Sequence, residues 1–420
     1  MHVAPYDKTA RGAVHAFRWL AFVLIFAAIL QAQEPSPPAL CEDEQAALRW
    51  LEYVTDPLPE AEEQEWWNIG GHQFGLFSAR YNIAFAGYAA AALGMRGDAI
   101  QRERAGCILR DCLTRYLKRE VWAYSQAKNY WGKKPWAPDP CYRENVMYTG
   151  HLLQLLALYE KISGNTDYWE QGFDFVWNES TRVHYDVQKL IDVTVEQMRE
   201  APSGGVTCEP GLLFFPCNNH PHYALKLFAI LGHGDWTAEA RRWEAWALSH
   251  YKDPLLGGGA LNLVYHVRSG LFYPRGYSGL DAWSLLWYEP WAEDRKNALD
   301  LWERAKKAVD LDALADPKDV IDGGNNCWNP QKVPDTVLSV FLAAAARACG
   351  DNETAERLEH PLDAKYLRRE NGLYWLDLGR EWRIGATAHR ILSLAEKNGS
   401  NFRQWAAATE LGAAIPPRED

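Results

Sequence analysis

No two of the eight cysteines are spaced C-x-x-C, and eight in 420 residues do not make a disulfide scaffold. Basic charge is short: 44 Lys and Arg face 55 Asp and Glu, a net charge of −11. Phosphate binding needs clustered cations, so no nucleic-acid partner is expected. No Asp-Asp-x-x-Asp-like cluster occurs, which argues against a diphosphate substrate ionised by magnesium. No segment repeats at a fixed period, which counts against an open superhelix of helical repeats. The apolar run Trp19–Leu30 has 12 residues, short of the roughly 20 that span a membrane comfortably.

Aromatic residues are plentiful: 20 Trp and 20 Tyr in a chain that is 48% hydrophobic and 24% charged. Most are expected to fill a large core. The sharper reading is an aromatic-lined cavity for an apolar, cationic or sugar-like ligand. Lys8, Arg11 and Arg18 precede the apolar run, so residues 1–33 read as an export signal to the periplasm or beyond. The bulky Leu30 near the cut leaves a membrane anchor through residues 19–30 as the alternative. Residues 34–41 read as a linker and 42–415 as one catalytic domain.

From residue 42 helical periodicity dominates, at 42–55, 79–95, 98–117, 144–163, 183–199, 220–232, 235–250, 280–291, 294–308, 333–349, 351–358, 384–397 and 401–410. Many of these are joined by short connections, which make antiparallel neighbours. About six such pairs predict an all-α fold, an (α/α)6 barrel. Alternating runs at 255–275 and 365–385 predict small β-ribbons decorating it.

The densest polar cluster is Cys208-Glu-Pro-Gly-Leu-Leu-Phe-Phe-Pro-Cys217-Asn-Asn-His220-Pro-His222, read as a loop leading into helix 220–232. The residues alone leave four readings open. Cys208 and Cys217 could form a structural disulfide. Cys217, His220 and His222 could bind a metal, although the spacing matches no standard zinc pattern. The histidines could cap a helix. The thiols could do acid–base or nucleophilic work. A second cluster, Glu144-Asn145-Val146-Met147-Tyr148-Thr149-Gly150-His151-Leu152, opens an apolar helix, with Tyr148 and His151 on one face. A third, Ala79-Arg80-Tyr81-Asn82, opens helix 79–95.

Together the three stretches resemble the linalool dehydratase/isomerase family. Cys-Glu-Pro followed nine residues on by Cys-Asn-x-His-Pro is the specific part, and weaker likeness continues through Val264–Arg268 and Asp281–Trp283. The resemblance implies an α/α barrel, export, a homo-oligomeric ring with the site near a subunit interface, and no cofactor or metal. It implies dehydration, allylic rearrangement or cyclisation of a small terpenoid or similar apolar alcohol or alkene. By the same resemblance Cys208 and Cys217 are the acid–base thiols, with His151 and Tyr81 as hydrogen-bonding or relay groups. Tyr148, Tyr265, Tyr277 and Trp283 are expected at the substrate pocket.

One departure matters. The family places a catalytic aspartate shortly before the position of Tyr81, and here no carboxylate lies between Glu65 and Arg80. His72, Glu209 or a thiol has to serve instead. Two other functions therefore stay open. One is a carbohydrate-active α/α barrel, a glycosidase or lyase using Glu209, Asp281 or Glu289. The other is an exported binding protein that kept the barrel and lost the chemistry.

Overall fold

The computed structural model describes residues 39–56, 59–69, 78–123, 138–252, 260–273, 278–315 and 334–407. Twelve helices within these residues build two concentric rings. The inner ring is α2 (Ala79–Arg96), α4 (Val146–Ser163), α6 (Phe215–Ile230), α8 (Ser278–Tyr288), α10 (Asp335–Ala348) and α12 (Arg380–Lys397). Each packs on the next, and α12 packs back on α2 to close the circle. The outer ring is α1 (Glu42–Thr55), α3 (Ala99–Tyr116), α5 (Val187–Glu200), α7 (Thr237–His250), α9 (Arg295–Lys307) and α11 (Asn352–Tyr366). This is the expected (α/α)6 barrel.

Composition sorts the helices between the rings. All 18 residues of α4 are buried, as are Thr336–Ala348 of α10 and Ile384–Ala395 of α12. A helix apolar on every side belongs inside. In α5 the buried set is Val187, Leu190, Ile191, Thr194, Val195 and Met198, a single stripe at helical spacing, as an outer helix requires. Alanine-rich α2 and α10 let their neighbours approach closely.

Three small antiparallel sheets decorate the barrel. β1 (Phe173–Asn178) pairs with β2 (Thr181–Tyr185). β3 (Leu212–Leu213), β4 (Val264–His266) and β5 (Leu271–Tyr273) form a second sheet. β6 (Leu367–Glu370) and β7 (Leu373–Leu376) form a third. The last two ribbons fall in the stretches 255–275 and 365–385, as expected.

Several boundaries differ from the sequence reading. The helix placed at 183–199 starts at Val187, because Thr181–Tyr185 is a strand and the Asp186 carboxylate caps the helix by accepting from the Lys189 N–H at 2.7 Å. The helix placed at 351–358 runs on to Tyr366 through Pro361. The helix placed at 280–291 ends at Tyr288, and that at 401–410 is helical only over Phe402–Trp405. No helix among the described residues is long and apolar enough to cross a membrane. Residues 1–38, with the export signal, the anchor alternative and most of the linker, lie outside the described residues, as do Tyr277 and His72.

The correction that bears on function is at α6. It begins at Phe215, five residues before the expected start, so Cys217, Asn218, Asn219, His220 and His222 stand on a helix and not in a loop. Pro216 is tolerated in the first turn, where a backbone N–H has no helical partner. Pro221 lies inside the helix and lacks the N–H that would reach back to the Cys217 carbonyl. Gly150 of α4 fills that gap: a Cβ there would lie 2.8 Å from the Pro221 ring and 3.3 Å from the Cys217 carbonyl oxygen. We predict that Gly150→Ala pushes α4 and α6 apart and costs about 1–3 kcal/mol, measured by denaturant unfolding. An unchanged midpoint would show that this contact does not set the helix spacing.

Candidate active site

Two segments converge to place the thiols. The Cys208 N–H donates to the Leu212 carbonyl at 2.8 Å, and its own carbonyl accepts from the Asn145 N–H at 3.1 Å. The Val146 N–H binds the Thr207 carbonyl at 3.2 Å, so the start of α4 is stitched to the segment carrying Cys208. From the other side, the Asn218 amide clamps Val206. It accepts from the Val206 N–H at 2.8 Å and donates to the Val206 carbonyl at 3.0 Å. Glu144 and Asn145 both have left-handed backbone, at φ 57° and 60°. Two consecutive non-glycine residues in that region cost energy that the surrounding contacts must cover.

Cys208 and Cys217 are free and buried, close enough for Cys217 to bear on the titration of Cys208. The disulfide reading is therefore not what is observed. Burial, then the neighbouring Cys217, raises the Cys208 pKa well above the ordinary thiol value, so Cys208 is held as a protonated thiol. Tyr81 lies close enough to both thiols for them to raise its pKa as well, on top of the larger effect of burial. The Arg80 guanidinium sits 4.5 Å over the Tyr81 ring and opposes that rise.

Glu209 follows Cys208 directly. Its Oε2 is buried with no hydrogen-bond partner among the described residues. Burial pushes its pKa up to about 7; Arg80 works against this and Glu144 reinforces it. A carboxyl poised there can both give and take a proton near neutrality.

Further along the barrel axis each inner helix contributes a ring. Tyr81 meets His151 edge-on at 5.3 Å and Trp283 at 5.1 Å, while Phe85 and Tyr81 are stacked at 6.1 Å. The His151 and His220 ring centroids lie 3.7 Å apart, with the planes tilted by 34°. Phe341 of α10 and His389 of α12 stack at 3.7 Å, with Phe85 4.5 Å from His389. Burial, helped by neighbouring His220 and Arg80, holds His151 well below the ordinary imidazole value. Burial does the same to His220, and brings His389 down to about 4. Three neutral imidazoles thus share the axis with aromatic rings.

The other expected residues fall as follows. Trp283 joins this cluster. Tyr148 does not: its hydroxyl donates to the Tyr116 carbonyl at 2.9 Å, the Tyr116 hydroxyl returns the bond to the Tyr148 carbonyl at 3.1 Å, and the two rings stack at 4.7 Å. That pair clasps α3 to α4. Tyr265 lines a cleft of about 450 Å³ together with Thr207, Gly211, Arg143, Trp246 and Arg268. Of the carboxylates weighed for sugar chemistry, Asp281 accepts from the Ala260 and Leu261 N–H groups at 2.6 and 3.1 Å, and Glu289 pairs with Arg295 at 2.7 Å. His222 is buried and packs beside Trp291 at 5.0 Å.

Tyr88, Gln154, Phe85 and His389 were not expected here. Tyr88 is one helical repeat of seven from Tyr81, and Gln154 is three residues from His151, so both share faces with expected residues. His389 carries no local signal and comes to the axis only because α12 closes the ring.

A family model described as linalool dehydratase/isomerase matches residues 80–382. The chain belongs to the linalool dehydratase/isomerase family. The matched span holds Arg80, Tyr81, His151, Cys208, Glu209, Cys217, His220, Trp283 and Met147, whose sulfur takes a contact from Arg80 at 3.7 Å. Among solved structures the chain is similar to an unsaturated glucuronyl hydrolase specific for heparin (12% identity, 84% of this chain and 95% of that one, TM-score 0.52). It is also similar to a possible member of the GH105 family from Salmonella enterica subsp. enterica serovar Paratyphi A (12% identity, 89% and 97%, TM-score 0.51). At that identity the likeness is one of fold alone.

The raised carboxyl makes a prediction about stability. The folded pKa of Glu209, about 7, exceeds the ordinary value of 4.5. Folding therefore favours its protonated form, and that contribution is complete below the ordinary value and lost as pH rises through 7. Glu209→Gln should flatten the fall in melting temperature between about pH 5 and 8, gaining about 2 °C or more at the upper end. Parallel melting curves for the two proteins across that window would contradict the raised carboxyl.

Proposed function

We propose that the chain is a cofactor-independent lyase or isomerase that dehydrates or rearranges a small terpenoid or similar apolar alkenol. The observation that carries this reading is the pair of free, buried thiols beside Tyr81, with Glu209, its pKa raised to about 7, next in sequence to Cys208. Cys208 gives its proton to the substrate hydroxyl, the C–O bond breaks, and water leaves with the bonding electron pair. An allylic cation remains. The thiolate then takes a proton from a neighbouring carbon, which closes the alkene and restores the thiol. Return of water at the other end of the allyl system gives the isomerised alcohol instead. The ring faces of Tyr81, Phe85 and Trp283 stabilise the cation, at about 0.5–2 kcal/mol per ring. His151 and Glu209 in its acid form donate hydrogen bonds to the substrate oxygen, Glu209 supporting the leaving water where the missing aspartate would stand.

Residues 42–415 act in this reading as one catalytic domain, exported through residues 1–33 and assembled as a homo-oligomer with the site near a subunit interface. The carbohydrate-active alternative is disfavoured because two of its three candidate carboxylates are engaged by backbone N–H groups or by Arg295.

Gas chromatography of products from linalool, geraniol and longer terpenoid alcohols, under anaerobic reducing conditions, tests the reading. Cys208→Ala and Cys217→Ala should each lower turnover at least about a thousandfold with the melting temperature little changed. With Glu209 acting as its acid form, kcat should fall as pH rises through about 7, and Glu209→Gln should remove that limb. Absence of any alkene or rearranged alcohol from a folded, reduced protein would set the proposal aside.

A further inference from the structure

His220 has both ring nitrogens engaged, and by groups that permit one arrangement only. The Trp283 indole Nε1–H lies 3.1 Å from Nε2. An indole can only donate, so Nε2 must be the bare, accepting nitrogen. The proton then sits on Nδ1, which donates to Gln154 Oε1 at 2.6 Å. His220 is thus a neutral ring with a fixed tautomer and no free nitrogen for chemistry.

Its ring packs against His151, with centroids 3.7 Å apart and the planes tilted by 34°. His151 contacts Tyr88 through Nδ1 at 2.7 Å, and its Nε2 is buried with no partner among the described residues. Burial keeps the Tyr88 phenol protonated. If Nδ1–H donated to Tyr88, the phenol hydrogen and Nε2 would both go unpaired. If Tyr88 donates to Nδ1, only the Nε2–H remains. Leaving fewer buried polar groups unpaired favours the second arrangement.

We propose that His220, locked between Trp283 and Gln154, is a positioning residue that holds the His151 ring where Tyr88 donates to its Nδ1, so that His151 keeps its Nε2–H as a neutral donor for the substrate oxygen. The inference rests on the reading of His151 as a reaction-site group. It assigns His220 and Gln154 a task other than contact with the reacting atoms, although His220 belongs to the Cys-Asn-x-His-Pro motif.

The test is ring-nitrogen magnetic resonance on the full chain carrying isotopically labelled histidine, with signals assigned through His151→Asn and His220→Asn. We expect His220 protonated on Nδ1 alone and His151 on Nε2 alone. In Trp283→Phe, and in Gln154→Leu, both rings should show mixed tautomers, while Gln154→Glu, which keeps an acceptor, should retain Nδ1–H on His220. On an alkenol substrate, Gln154→Leu should lower kcat about tenfold with KM changed less than about twofold, and Gln154→Glu should recover part of the loss. A wild-type His220 protonated on Nε2, or a His151 spectrum that ignores both substitutions, overturns the proposal. If a variant fails to fold, the wild-type spectrum still decides the tautomers. If no alcohol is turned over, the proposed function fails, and the His151 spectra still decide whether His220 holds its tautomer.

Discussion

Exclusion of water from the barrel axis sets the protonation state of the groups there that could do chemistry. An ion in that position would forgo hydration, so titratable groups settle in their neutral forms. Cys208 stays a thiol, Tyr81 and Tyr88 stay phenols, and His151, His220 and His389 stay uncharged imidazoles. Glu209, beside Arg80, is the exception that comes close to balance. In the proposed reaction, a neutral, aromatic interior suits a substrate that enters neutral and becomes a cation only while reacting. The same environment penalises a permanent charge and rewards transient delocalised charge facing ring π-systems. The dryness follows directly from a ring of six helices that are apolar on nearly every side.

That constraint also explains why so much hydrogen-bonding apparatus surrounds two thiols. In a dry interior each polar group needs a partner, and partners fix geometry. The Asn218 amide matched to both backbone groups of Val206, and the start of α4 bonded to Thr207 and Cys208, leave the thiol segment little room to shift. Left-handed backbone at Glu144 and Asn145 accompanies this stitching. The Cys-Glu-Pro and Cys-Asn-x-His-Pro elements are therefore halves of one mechanical unit. Asn218 serves the thiol on the neighbouring segment, and Pro221 opens the gap that Gly150 occupies.

Much of this was legible in the residues. Helical pairs with short connections declare the barrel, and paired β-rich stretches at 255–275 and 365–385 declare two of its ribbons. His151 and Tyr81 stand out as polar residues on apolar helices, and the thiols as part of the densest polar cluster. What could not be read were contacts made by ring closure. Nothing in its own helix marks His389; its place beside Phe85 and Phe341 exists only because α12 returns to α2. Tyr148 misled for the opposite reason: it shares a helix face with His151 in projection, yet its hydroxyl is taken by Tyr116. The start of α6 was hidden by two prolines, one tolerated in the first turn and one accommodated by a glycine on another helix.

The barrel itself does not choose the chemistry. Solved structures with this architecture include hydrolases of sugars, and the likeness to them is confined to the fold. In this chain the buried carboxylates Asp281 and Glu289 are turned to structural ends, one holding the 260–261 backbone and the other holding Arg295. A carboxylate already saturated by two N–H groups is a poor base, because its lone pairs and charge are spent. In the proposed reaction the acid–base work falls to Cys208 and Cys217, with Tyr81 and Glu209 beside them. Reactivity in this scaffold is then decided by which buried polar groups are left incompletely satisfied, and in this chain Glu209 Oε2 and His151 Nε2 are two such atoms beside the thiol pair and the aromatic cluster.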